Sequence, residues 1–192
     1  MVGGQLNKVY ECNLPALPGT LTFSPLTSAH FPLFQQWQKQ PRVSYYWGLG
    51  ESGQATKDYF HDVITAADKQ GYVLYCDKVP FAYFEVYDPT TAPVGQVCHA
   101  VKSDKGIHYL TGEKQFLGRQ FTRAILKACC EFVFLSDENC LSIWAEPRAD
   151  NAAMLRYVNA FASWTEQGIV QLPHKTAILL HCDRATFFTE DL

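Results

Sequence analysis

Between Ile107 and Ala145 the chain reads as a strand, a glycine-containing turn, one long amphipathic helix and a second apolar strand. Few architectures accommodate that order. Ile107–Thr111 and Leu141–Ala145 are apolar runs of strand length. From Leu117 to Leu135, residues Leu117, Phe121, Ala124, Ala128, Phe132 and Leu135 recur at spacings of three and four, the mark of one buried helical stripe. Alternating strands and helices must pack as helices against a sheet.

The flanking segments fit that plan. Residues 1–20, with Pro15 and Pro18, read as an N-terminal arm, and 21–192 as a single domain. Leu21–Leu26 is a strand, and Thr27 or Ser28 caps a helix carrying Phe31, Phe34 and Trp37 that runs to Gln40 and stops before Pro41. Ser52–Gln70 reads as a second helix closed by Gly71. Tyr72–Cys76 and Val79–Tyr87 flank Asp77-Lys78 as a hairpin, and Gln96–Val101 is a further strand. Beyond the long helix come a helix over Asn151–Phe161 and strands at Ile169–Leu172 and Thr176–Cys182. The expectation is an α/β (α+β) fold with a mixed sheet and helices on both faces.

Composition narrows the function classes. A chain of 192 residues buries roughly 70% of its unfolded surface, enough for a sizeable core. Its net charge of -3 leaves no basic excess to neutralise phosphates, which argues against a general nucleic-acid partner. No apolar stretch reaches the roughly 18 residues of a membrane span, and Met1–Lys8 lacks the pattern of a secretory signal. The seven cysteines are odd in number and include no C-x-x-C pair, so neither a metal site nor a disulfide framework is expected. These features together predict a reduced, cytoplasmic protein with neither nucleic acid nor membrane as partner.

Chemistry is expected where the strand ending at Thr111 turns into the long helix. A helix start presents unpaired N–H groups to an anion such as a pyrophosphate, and Gly118 lets the backbone come close. Arg119, Arg123 and Lys127 follow at four-residue intervals; they are either phosphate ligands or a solvated face. Tyr45, Tyr46 and Trp47 form an aromatic run that either walls an alkyl amine or anchors a loop. No cysteine has a nucleophile's context, which leaves a cysteine–histidine hydrolase the weakest option.

Gln115-Phe116-Leu117-Gly118-Arg119-Gln120 resembles the coenzyme A loop of the GNAT superfamily of N-acetyltransferases, Gln/Arg-x-x-Gly-x-Gly/Ala, with Gln120 at a position usually small. Gly106-Ile107-His108, Glu146-Pro147-Arg148-Ala149-Asp150-Asn151 and Leu172-Pro173-His174-Lys175 resemble its siderophore-biosynthesis acyltransferase branch. The runs Pro41–Trp47, Pro80–Tyr87 and Phe187–Glu190 fit the same branch, so the likeness extends from about residue 21 to the end. The resemblance implies a largely antiparallel GNAT-like sheet and an acetyl-CoA or succinyl-CoA donor without a metal. It also implies an acceptor that is an N-hydroxylated amine (hydroxylysine, hydroxyornithine or a hydroxy-diamine), acylated to a hydroxamate for a downstream siderophore synthetase.

The same resemblance assigns candidate roles. His108 is the base and Tyr157 the acid for the departing thiolate, each with core packing as its alternative. Many members carry the acid two residues after Glu-Pro begins, where this chain has Arg148; the form found here moves it to Asp150, either the partner of His108 or a helix cap. Gln115, Gly118, Arg119, Gln120, Arg123 and Asn151 are the cofactor candidates, Asn151 being alternatively a cap. Tyr46, Trp47, Glu85, His174 and Lys175 are the acceptor-side candidates, with Glu85 facing either a cationic substrate end or solvent, and His174 and Lys175 either at the site's edge or structural. Two other functions fit these blocks: acylation of an ordinary amine, and non-catalytic binding of acyl-CoA.

Overall fold

The protein was analysed as a computed structural model that describes residues 9–189, apart from the side chain of Arg119. Its strands form one eight-stranded sheet in the order β1-β2-β3-β4-β5-β6-β8-β7. The strands are β1 (Tyr10–Asn13), β2 (Thr20–Pro25), β3 (Lys69–Cys76), β4 (Val79–Tyr87), β5 (Lys105–Thr111), β6 (Ser142–Ala145), β7 (Trp164–Leu172) and β8 (Lys175–Asp183). Among the described residues six α-helices accompany them: α1 (Phe31–Gln38), α2 (Pro41–Trp47), α3 (Gly53–Thr65), α4 (Arg119–Ser136), α5 (Ala152–Val158) and α6 (Arg184–Thr189). The pairings β1–β2, β2–β3, β6–β8 and β7–β8 are antiparallel. The β5–β6 pair is parallel, as a crossover through α4 requires. The mixed, mostly antiparallel sheet meets the expectation.

The chain divides into two compact units, Met1–Glu85 with Tyr109–Ala124, and Val86–His108 with Ile125–Leu192. The first is centred on Leu26, Phe34, Trp37, Val43, Phe60, Val63, Val73, Tyr83 and Leu110. In the second, Tyr87, Val94, Cys98, Trp144 and Leu179 pack together. There α6, absent from the expectation, is pinned by Arg184, whose guanidinium lies over the rings of Phe134 and Phe188 and donates to the Phe134 carbonyl at 2.7 Å. All seven cysteines are free and six are buried. Among the described residues no helix is long and apolar enough to cross a membrane.

Several expected elements move. The expected arm contains β1, which pairs with β2; residues 1–8 lie outside the described residues. The second helix ends at Thr65 rather than at Gln70, because Lys69–Cys76 is claimed by strand pairing, a tertiary demand that outweighs helix propensity. Gly71 is therefore a strand residue whose missing side chain makes room for Leu26 and Val63. The left-handed helix cap is Gly48, with φ 70°, at the end of α2. The aromatic run Tyr45–Trp47 forms the last turn of α2, and the expected loop follows it over 48–50. Pro93–Gln96 is a 3-10 turn and no strand forms over 96–101. In α4 the buried stripe is rotated: Ile125, Cys129, Phe132 and Val133 are inside, while Leu117 and Leu135 are 42% and 48% exposed.

Candidate active site

The parallel β5–β6 pair sets Lys105 opposite Ile143 and Gly106 opposite Trp144. Two residues further along the same register, His108 comes level with Glu146, both on the face shared by Gly106 and Trp144. Their side chains meet: His108 Nε2 lies 2.8 Å from Glu146 Oε1. Glu146 is past the end of β6, yet its segment stays tied to β8. Ile178 N–H donates to the Pro147 carbonyl and Ala149 N–H to the Thr176 carbonyl, each at 3.0 Å.

The pair is built into a small network. Tyr87 donates its hydroxyl to Glu146 Oε2 at 2.8 Å, and its ring stacks on the imidazole at 4.7 Å. Lys175 Nζ stands 3.6 Å from Glu146 Oε1. The His108 side chain is 31% exposed and that of Glu146 only 6%, so the imidazole has access to solvent and the carboxylate does not. A Cβ on Gly106 would collide with the Tyr87 ring. Gly106→Ala is accordingly expected to displace that ring, lower stability by about 1–3 kcal/mol in a denaturant titration, and slow turnover by loosening the pair.

Burial alone would push the Glu146 carboxyl up. The charge and hydrogen bond of His108, the Lys175 ammonium and the Tyr87 hydroxyl outweigh it, and hold the group at about 2 against an ordinary 4.5. A folded-state value below the unfolded one means stability that is fully present above pH 4.5 and is lost as pH falls from 4.5 toward 2. Acid unfolding followed by tryptophan fluorescence is expected to show a loss on the order of a few kcal/mol across that window. His174, on the turn before β8, is lowered by burial and by the Lys175 and His108 charges, against the pull of Glu146.

In the other unit, β5 runs on into a 3-10 turn, Lys114–Phe116, and then α4. Phe116 is buried and stacked on Phe81 at 4.4 Å, which fixes the loop's base. Gly118 has φ 128°, a conformation that a side chain would strain. Its carbonyl accepts the Thr122 N–H at 2.9 Å, within the first turn of the helix. Gln115, Gly118 and Gln120 are exposed and Arg123 half-buried, whereas the Arg119 side chain lies outside the described residues. The start of α4 can hold a pyrophosphate through backbone N–H groups.

Other candidates fall differently. Asp150 is gripped by Arg148, with Nε and Nη2 donating to its two oxygens at 3.0 and 2.9 Å, and its side chain is 44% exposed. The carboxylate beside His108 is thus Glu146, four positions earlier, because the strand register and not the motif's spacing aims it. Nor is Asp150 the cap: Asn151 caps α5, accepting the Met154 N–H at 3.2 Å. Tyr157 is half-buried on α5, and its hydroxyl makes no hydrogen bond among the described residues. Trp47 packs on Tyr59 and Tyr83, while Tyr46 meets Tyr45 edge to face. Glu85 does not face solvent: it is 2% exposed and accepts hydroxyls from Tyr59 at 2.7 Å and Tyr83 at 2.5 Å. Sequence reasoning missed Glu146 and Tyr87 as members of the site. Counting outward from a parallel pairing of Gly106 with Trp144 would have found Glu146.

Comparison with known proteins adds the following. The family model described as acetyltransferase (GNAT) domain matches residues 27–172. A Schizosaccharomyces pombe protein provisionally named a lysine N-acyltransferase is 33% identical over 94% of this chain and 54% of its own length. The N(6)-hydroxylysine O-acetyltransferase of Escherichia coli is 26% identical over 95% of this chain and 58% of its own. Further relatives bear the names hydroxyornithine transacylase and N-hydroxyputrescine acetyltransferase. The chain spans 35–58% of the length of the first four curated relatives. An uncharacterized protein from Bacillus halodurans superposes with TM-score 0.88 at 22% identity, covering 95% of this chain and 94% of that one.

Proposed function

The chain belongs to the GNAT acetyltransferase domain family, and from that premise we propose that it transfers an acyl group from acyl-CoA to the nitrogen of an N-hydroxylated amine. The observation that carries the proposal is His108 held by the buried Glu146, on the strand that leads directly into the Gln115–Gln120 loop. The relatives' names support the acceptor class, since hydroxylysine, hydroxyornithine and hydroxyputrescine all carry an N-hydroxyl.

The chemistry follows from these groups. An ordinary lysine amine, with pKa about 10.4, is protonated at neutral pH. An N-hydroxyl withdraws electron density and leaves the nitrogen mostly neutral, so holding it against the thioester supplies much of the rate. The nitrogen attacks the thioester carbonyl, a C–N bond forms, and the nitrogen's proton must leave. With Nε2–H donated to Glu146, the basic lone pair of His108 is on Nδ1, which takes that proton. The tetrahedral intermediate then collapses, breaking the C–S bond, and Tyr157 protonates the departing thiolate. Backbone N–H groups from Gln115 to Gln120 bind the pyrophosphate, with Gly118 allowing close approach.

Acetyl-CoA and succinyl-CoA both suit this scheme. The hydroxamate product suits condensation by a siderophore synthetase, and free, buried cysteines suit a reducing cytoplasm where acyl-CoA is made. Incubating the protein with each donor and a panel of N-hydroxylated and plain amines tests the proposal, with ferric-hydroxamate colour as readout. Coloured product with one hydroxylated amine supports it. Acylation of plain amines alone, seen by mass spectrometry, would move the acceptor to ordinary amines.

A further inference from the structure

We propose that Trp37, Gln40 and Arg42 form a clamp that positions the coenzyme loop; the inference rests on that loop binding CoA as proposed above. Where β5 ends, the chain turns through Thr111, Gly112 and Glu113 toward Gln115. Four side-chain hydrogen bonds reach that turn from residues 37–42. Arg42 donates Nη1 to the Thr111 carbonyl at 2.6 Å and Nη2 to the Gly112 carbonyl at 2.5 Å. Gln40 Nε2 donates to the same Gly112 carbonyl at 3.0 Å, and Trp37 Nε1 donates to Glu113 Oε1 at 2.9 Å.

The clamp is itself braced. Arg42 Nη2 also donates to Gln40 Oε1 at 2.8 Å. On the sheet side, the N–H groups of Gly112 and Glu113 both donate to the Phe81 carbonyl, at 2.7 and 3.0 Å. Gly112 sits so close to the Trp37 indole that any Cβ would collide with it, which fixes the height of the turn on that ring. The whole device belongs to one compact unit.

Two features point to positioning rather than to bulk stability. An open pocket of about 730 Å³ is bordered by Gln40, Arg42, Gly112, Glu113, Lys114 and Gln115. On that side the loop borders open space, and the hydrogen bonds from residues 37–42 act together with the Trp37 ring in holding it. Arg42, moreover, spends its fork on peptide carbonyls at the root of the loop, and charge-assisted bonds of this kind are among the stronger ones. Displacing the root by a fraction of an ångström shifts every N–H group that follows it.

The test is calorimetric titration of CoA into the wild-type protein and the variants Arg42→Lys and Glu113→Ala, with steady-state KM values for both substrates and thermal unfolding of each variant. Absence of CoA binding by the wild type would overturn the coenzyme reading itself. If it binds, Arg42→Lys, which keeps the charge and loses the fork, is expected to weaken CoA binding about tenfold, and Glu113→Ala by a similar factor. KM for acyl-CoA should rise in step while KM for the acceptor stays within about twofold. A merely structural role would lower the melting temperature and leave the Kd of the folded protein unchanged. Folded variants with CoA affinity within about twofold of wild type would overturn the clamp.

Discussion

Replacing His108 by alanine is expected to lower kcat/KM for acyl transfer by about 10²–10⁴-fold, the usual contribution of a positioned general base. CoA affinity should stay within about twofold, since the backbone N–H groups proposed to bind the pyrophosphate belong to the loop beyond β5. The side chain is 31% exposed, so its loss opens no sealed cavity. It does leave Glu146 with one partner fewer, although Tyr87 at 2.8 Å and Lys175 at 3.6 Å remain. His108→Gln separates the two consequences: the amide can still donate to Glu146 but has no comparable basicity. Both variants should be slow, and His108→Gln should unfold closer to wild type. A His108→Gln enzyme with wild-type turnover would remove His108 from the chemistry.

Glu146 should show the largest combined effect on activity and stability. Glu146→Ala leaves the Tyr87 hydroxyl, the Lys175 ammonium and the His108 ring without their shared acceptor at a buried position. Breaking a buried charge pair in this way costs about 3–5 kcal/mol. Glu146→Gln keeps the shape and an acceptor oxygen, and its loss should be nearer 1–3 kcal/mol. Turnover should fall about 10²-fold in Glu146→Gln, because the amide neither orients the imidazole by charge nor stabilises its protonated form. The acid profile gives an independent check. In wild type the Glu146 contribution disappears as pH falls from 4.5 toward 2, so Glu146→Gln should flatten stability across that window. An unchanged acid slope would show that other carboxylates carry it.

Elements whose evidence is local were legible in the sequence, and the pairing within the site was not. The long helix announced itself by period, although Leu117 and Leu135 proved exposed and Ile125 and Cys129 inward. Alternating threes and fours admit neighbouring phases, and packing selects among them. The overshoot of α3 into Lys69-Gln70 came from residues with fair helix propensity that form the start of β3. His108 was visible in its Gly-x-His block, but its partner depends on the offset between β5 and β6, whose paired residues lie 38 positions apart in sequence. The motif's spacing pointed to Asp150, which lies within the reach of Arg148. Glu85 illustrates the same limit: alternation along β4 breaks down because every residue from Phe81 to Tyr87 is buried, so period alone does not tell which way a carboxylate faces.

The most direct test compares kcat/KM for N6-hydroxylysine and for lysine, with acetyl-CoA or succinyl-CoA as donor at one neutral pH, in wild type and in His108→Gln. The account predicts hydroxamate formation with the hydroxylated amine at least about a hundredfold faster than amide formation with lysine, in line with the fraction of neutral nitrogen each offers. It also predicts that His108→Gln slows the favoured reaction. Equal rates with the two amines, or a hydroxylated amine acylated as fast without the imidazole, would contradict it.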